Sequence, residues 1–270
     1  MIFSGVSAAT ALQKIPGFEA SAYAYARGRV VWAGGTAVTR HPRDHHAPWQ
    51  PVARHFDVAK LRRGAGVLRR RLDASSAPDG HPLQAKGLLL WLTGQPMAFP
   101  LNHAVARFDA IQSALQHRDA RRFEAAAVRV LGLGHGLTPS GDDFVGGVFF
   151  ALRHLPANAL GEAWQRELPA VASRIRNAAA SATNVISAAL LGDLMAGKSY
   201  SALHEMLAAL ESEIAIKIEA AYVHIARLGA TSGADMLAGV LLALTVAHTA
   251  IKTENKPETE TETTAFQEQP

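Results

Sequence analysis

Two adjacent carboxylates, Asp142 and Asp143, sit in the stretch of this sequence best suited to chemistry, Leu131–Phe150, LGLGHGLTPSGDDFVGGVFF. Glycines alternate at Gly132, Gly134 and Gly136, and Thr138, Pro139, Ser140 and Gly141 follow. Glycines at this density permit left-handed backbone and close approach to a ligand. A glycine loop feeding a helix N-terminus presents unpaired N–H groups to an anion. Paired carboxylates can hold a hard cation through oxygen, or accept the N–H bonds of a substrate amide. Neighbouring helical residues point about 100° apart, so one of the two faces a ligand. No Gly-Lys-Ser/Thr follows the loop, so it is not a Walker loop. Helix rather than strand precedes it, so it is not a dinucleotide fingerprint.

A second copy of part of this run narrows the choice. SGDDFVGGVFFAL at Ser140–Leu152 aligns without gaps to SGADMLAGVLLAL at Ser232–Leu244. The match predicts two equivalent loop–helix units related by a pseudo-twofold axis. Small residues at Gly147 and Gly239 would let the two helices approach closely. Ser140 and Ser232 read as N-caps, with Asp143 and Asp235 closing capping boxes. That accounts for serine and aspartate in both copies without a ligand. Gly132, Gly134, Gly136, Thr138 and Asp142 belong to the first copy alone. Asp142 is therefore the first catalytic candidate and Asp143 the second.

Further candidates lie in Arg174–Ser187, RIRNAAASATNVIS. Arg174 and Arg176 could pair with a carboxylate or phosphate. Thr183 and Ser187, one helical turn apart, could donate to the same anion. The alternative is that Thr183 caps a helix and the arginines are solvated. His135, inside the glycine loop, is a candidate general acid or base. Twelve histidines include no HExxH-type pair. His45-His46 reads as a solvated loop. The basic cluster Lys60, Arg62, Arg63, Arg69, Arg70 and Arg71 lacks interleaved aromatics, and reads as the wet face of a helix or a subunit contact rather than a nucleic-acid site.

The surrounding chain sets the context. Its 270 residues are 49% apolar and 19% charged, enough for a sizeable core. There is no cysteine, which removes disulfides and thiolate chemistry and fits a reducing cytosol. No signal-peptide pattern opens the chain and no apolar run is long enough to span a bilayer, so a cytoplasmic protein is expected. A net charge of +4 allows an acidic small molecule without indicating one.

The expected fold class is α+β. A small β-containing region over 1–102 has a hairpin within Ser21–Trp32, a loop at 39–49, a helix at Asp57–Leu72 and a loop at 74–81. A buried strand at Gly87–Thr93 and a short one at Met97–Leu101 complete it. A larger helical domain over 103–251 carries the repeats at 132–152 and 229–244, with Pro169 as a kink or break. The polar tail 252–270 has the composition of disorder.

The run GLGHGLTPSGDDFVGG resembles the signature of the AllH-like family, long carried as a domain of unknown function. TNVISAALLGDLMAGKS at Thr183–Ser199, SGADMLAG at Ser232–Gly239 and the overall length agree with it. The resemblance covers about residues 85–250 and is slight before them. His135 departs from the pattern, which more often has proline there. The resemblance implies a subunit of oxamate carbamoyltransferase, working beside two larger subunits in allantoin (purine nitrogen) catabolism. Carbamoyl would pass between oxalurate and phosphate. Gly134, Gly136, Thr138, Ser140, Gly141, Arg176, Thr183, Ser187, Ser232 and Asp235 would then bind a small anionic amide or phosphate, with Mg²⁺ as a candidate cation and neither nucleic acid nor membrane as a partner. A stand-alone hydrolase of a ureido or amide compound and a non-catalytic structural subunit stay open as alternatives.

Overall fold

The computed structural model describes residues 56–73, 82–156 and 159–247, together with the backbone of three short strands, 2–4, 23–26 and 29–32. Tyr23–Ala26 and Ile2–Ser4 each pair antiparallel with Arg29–Trp32, so the expected hairpin is present. The loops expected at 39–49 and 74–81 and the tail 252–270 lie outside the described residues.

The α+β expectation is corrected. From residue 56 onward the described chain builds an all-helical body of ten α-helices, and no strand enters it. They are α1 (Val58–Leu72), α2 (Leu88–Leu92), α3 (Val105–Gln116), α4 (Ala120–Val128), α5 (Ser140–His154), α6 (Glu162–Ala182), α7 (Val185–Met195), α8 (Ser201–Ser212), α9 (Ala215–Ile225) and α10 (Ser232–Val246). The apolar run at 87–93, expected as a buried strand, is the short helix α2. Its length suits either element, and periodicity alone does not separate a buried strand from a buried helical turn. Met97–Leu101 forms no strand either; a 3₁₀ turn occupies Leu101–His103.

Helix α1 shows why the rest forms as it does. Val58, Leu61, Ala65, Leu68 and Leu72 recur at three- and four-residue spacing and are buried. Asp57 caps the start by accepting the Lys60 N–H at 3.0 Å. Arg69, Arg70 and Arg71 in the last turn complement the helix dipole. The basic face is partly spoken for: Arg63 pairs with Glu213 and Arg71 with Glu219, tying α1 to the end of α8 and to α9.

Helices α5 and α10 form the centre, and nearly every residue of both is buried. Their close approach rests on the repeated glycine. A Cβ on Gly147 would stand 2.0 Å from the Met236 carbonyl oxygen, and one on Gly239 would stand 2.1 Å from that of Phe144. Each helix thus lays backbone against backbone at the same place in its repeat, as the spacing predicts. Helix α6 runs unbroken through Pro169. No described helix is long and apolar enough to cross a membrane.

Candidate functional site

The two copies begin alike. Gly141 donates its N–H to the Leu133 carbonyl and Gly233 donates to that of Leu228. In each copy the next residue, Gly134 or Gly229, has positive φ and packs against that copy's own serine. The first loop is three residues longer between these landmarks, and His135, Gly136 and Leu137 are its exposed residues. Leu137 is 67% exposed, and the His135 ring lies 6.3 Å from that of Phe99 at the surface. His135 is not directed into the buried carboxylate cluster.

The capping-box expectation is corrected. Pro139 and Thr231 occupy the N-cap positions, and neither helix has a side-chain cap. The serines stand one residue inside the helix and face across the axis instead. The Ser232 and Thr138 hydroxyls lie against the Asp143 carboxyl, while the Ser140 and Thr231 hydroxyls lie against Asp235. Thr138 and Ser232 also bond each other at 2.7 Å. Each aspartate thus leans on the serine of the opposite copy, a reciprocal brace across the pseudo-twofold.

The adjacent aspartates have different environments. Asp142 is 1% exposed and its oxygens are fully engaged. Oδ1 accepts the Gly132 N–H at 2.8 Å, and Oδ2 accepts the Thr183 and Ser187 hydroxyls at 2.5 and 2.6 Å. This one carboxylate ties the glycine loop to the start of α7. Thr183 and Ser187 do come together one turn apart, as expected, but their shared acceptor belongs to the protein. Thr183 does not cap α7; Asn184 does, accepting the Ile186 and Ser187 N–H groups.

Asp143 is 4% exposed, and its Oδ2 is buried with no hydrogen-bond partner. Burial, then the nearby Asp235, pushes its carboxyl well above the usual aspartate value. Asp235 is fully buried and raised for the same first reason. Its Oδ1 accepts the Leu88 N–H at 2.7 Å at the start of α2, and its Oδ2 is likewise unpartnered. The environment of Asp143 favours a neutral acid.

Asp143 also lines a small cavity of about 20 Å³ among α5, α7, α10 and the turn after α7. Leu190, Leu194 and Met236 form its apolar walls, and Asp193, Lys198, Ser199 and Tyr200 its polar ones. Burial holds the Tyr200 phenol above its ordinary value, so it stays an O–H. Sequence reasoning missed Lys198 and Tyr200 as site residues. The available signal was GKSY at 197–200, a glycine turn directly behind a helix.

The arginines go elsewhere. Arg174 is bound to Glu124, with contacts of 2.6–2.8 Å. Arg176 is exposed and lines a separate depression. It does not join Thr183 and Ser187. Among the described residues no three of His, Asp and Glu converge where a cation could sit, and Asp142 has no oxygen to spare. The donor set does not fit Mg²⁺.

A family model described as oxamate carbamoyltransferase subunit AllH matches residues 130–244. That span takes in both repeats, the Asp142 bonds and the walls of the Asp143 cavity. No curated protein and no solved structure matches the chain.

Proposed function

Because a model of the oxamate carbamoyltransferase subunit AllH family matches residues 130–244, we propose that this chain belongs to that family and serves as a subunit of an oxamate carbamoyltransferase-like assembly, with its Asp143 cavity receiving the NH₂ end of a carbamoyl ligand. The observation that carries this reading is Asp143 Oδ2, an unpartnered carboxyl oxygen in a buried cavity wall. Unpaired buried polar atoms are rare because leaving one costs about 1–3 kcal/mol. A ligand N–H would remove that cost.

The cavity's size and charge narrow the ligand. A space of about 20 Å³ admits a water-sized group and nothing larger. The NH₂ of a carbamoyl group is of that size, with the rest of the ligand lying outside. Lys198 supplies positive charge for an anionic remainder and the Tyr200 phenol supplies an O–H. Asp143 Oδ2 accepts the N–H. Asp142 then acts as a positioning residue that holds the loop and α7 together around the cavity.

The test is thermal stabilisation of the full chain by carbamoyl phosphate, with Asp143→Asn compared to the unmodified protein. In the variant the amide carbonyl stays with the Thr138 and Ser232 hydroxyls, which turns the NH₂ toward the cavity. The ligand's own NH₂ then meets donors, and stabilisation is expected to vanish while the variant folds. Equal stabilisation of both proteins would sink the reading. One observation favours a purely structural role, namely that every oxygen of Asp142 is used internally. On that alternative, neither protein responds to the ligand.

A further inference from the structure

Helices α3 and α4 form a hairpin with a groove of about 410 Å³ between them. Ala106, Ala110 and Ala114, spaced by four, line its α3 side, and Ala125 and Ala126 its α4 side. Arg107, Arg122 and Arg129 stand along it, all exposed. Among the described residues Arg107 and Arg129 have no carboxylate partner. Arg122 meets Asp119 at 3.3 Å, an exposed pair of little strength. The hairpin's other acids are held elsewhere: Asp109 accepts the Trp91 indole N–H, and Glu124 binds Arg174.

The sequence outside the described residues supplies a matching occupant. From residue 257 onward the tail reads PETETETTAFQEQP, with four glutamates and no lysine or arginine. Runs of like charge in polar tails often serve as interaction segments. Alternate residues of an extended chain share a face, which sets Glu258, Glu260 and Glu262 on one side over about 13 Å. Arg122 and Arg129 are two turns apart, about 10 Å along α4. Arg107 donates to the Arg129 carbonyl at 3.0 Å, so these two mark the same end of the groove. A glutamate at Arg122 and another at Arg107 and Arg129 fit that spacing.

The tail also leaves the body at a suitable place. Helices α5 and α10 run side by side in one direction: Thr138 and Ser232 bond at their starts, and further along Gly147 packs on Met236 and Gly239 on Phe144. Ala247 therefore lies level with the end of α5. Phe123 packs on Phe149 in the second half of α5, at 5.7 Å between ring centres, which brings its neighbour Arg122 toward the same end of the body. The residues between Ala247 and Glu258 can span about 35 Å, whereas α4 is about 14 Å long. Such a tether holds the tail at an effective concentration of about a millimolar, enough to populate a weak contact. We infer that the α3–α4 groove is the docking site of this chain's own acidic tail, with Glu258, Glu260 and Glu262 on Arg107, Arg122 and Arg129. The contact is electrostatic and weakens as salt screens it. It shares no residue with the Asp143 cavity and does not rest on the function read from it.

Paramagnetic NMR on the full chain tests the inference. The chain has no cysteine, so Thr261→Cys places a single nitroxide label on the tail, on the side away from the glutamates. The Ala110, Ser113 and Ala125 amide signals are expected to lose most of their intensity, while those of Lys60, Arg62 and Arg70 on the basic face of α1 keep theirs. Glu258→Gln, Glu260→Gln and Glu262→Gln together leave the helical body untouched and should restore the groove signals, as should about 0.5 M salt. Arg107→Gln, Arg122→Gln and Arg129→Gln together should do the same. Unattenuated groove signals leave the groove to an acidic partner and overturn the inference, as does attenuation centred on α1. Attenuation that survives the glutamate changes overturns it too. In a mixture of nitroxide-labelled chain with separate ¹⁵N-labelled chain, groove signals should stay intact; their loss would assign the groove to a second copy's tail and overturn docking within one chain.

Discussion

Asp142 and Asp143 differ by one position and do opposite things. Asp142 accepts three bonds, so Asp142→Ala leaves one N–H and two hydroxyls unpaired in a mostly buried site. The expected cost is about 3 kcal/mol or more, read by chemical denaturation. Asp143 carries a burial penalty instead. Its folded value is raised, so above the unfolded value of 3.8 the unfolded chain sheds its proton while the folded chain keeps it. The unfolded state then binds fewer protons, and stability falls as pH rises through that window. Asp143→Asn removes this loss: its melting temperature should exceed the parent's at neutral pH, and the gap should close as pH falls toward 4. His204 works the other way. Burial lowers it to about 4 from 6.5, so its contribution fades as pH falls through that interval. A parent protein whose melting temperature does not fall as pH rises above the His204 window would contradict the Asp143 account. Adjacency in sequence showed that two neighbouring carboxylates point apart, but not which would meet Thr183 and Ser187, some forty residues away. That is why the catalytic expectation fell first on Asp142, whose oxygens the fold consumes.

At the level of the helices, the repeat was legible because its glycines do one physical job. Gly147 and Gly239 let backbone meet backbone, and that requirement leaves a mark in both copies. Gly147→Ala or Gly239→Ala is expected to cost about 1–3 kcal/mol or more by forcing α5 and α10 apart. Gly66 in α1 is the control, because a Cβ there meets only the flexible Arg70 side chain at 3.6 Å. Gly66→Ala should gain about 0.5–1 kcal/mol. Equal effects at all three positions would mean the helix pair is looser than its geometry. The caps and α2 were not legible. Ser–x–x–Asp fits a capping box locally, and only the opposite repeat, ninety-two residues away, shows where those side chains go. Helix α2 takes its first N–H acceptor from Asp235, a contact that no local pattern encodes.

For the molecule as a whole, the body is all-helical from residue 56 onward and packed around the α5–α10 pair, with α7 between the Asp143 cavity and the depression that Arg176 lines. The helical series from α3 onward could be read from periodicity. The β-containing half could not, because its apolar run at 87–93 suits either element. The match to the AllH subunit model over residues 130–244 points to partner subunits, and Phe99 and the first-loop Leu137 present exposed apolar surface among the described residues. The tagged chain is expected to retain the larger carbamoyltransferase subunits on co-expression, and a chain that elutes alone counts against the assembly. Asp143 offers the most direct measurement, because its ¹³C carboxyl resonance can be followed through pH with and without carbamoyl phosphate. A carboxyl that titrates well above 3.8 and shifts on adding ligand is the expected result. An ordinary aspartate titration that ignores the ligand would contradict the account.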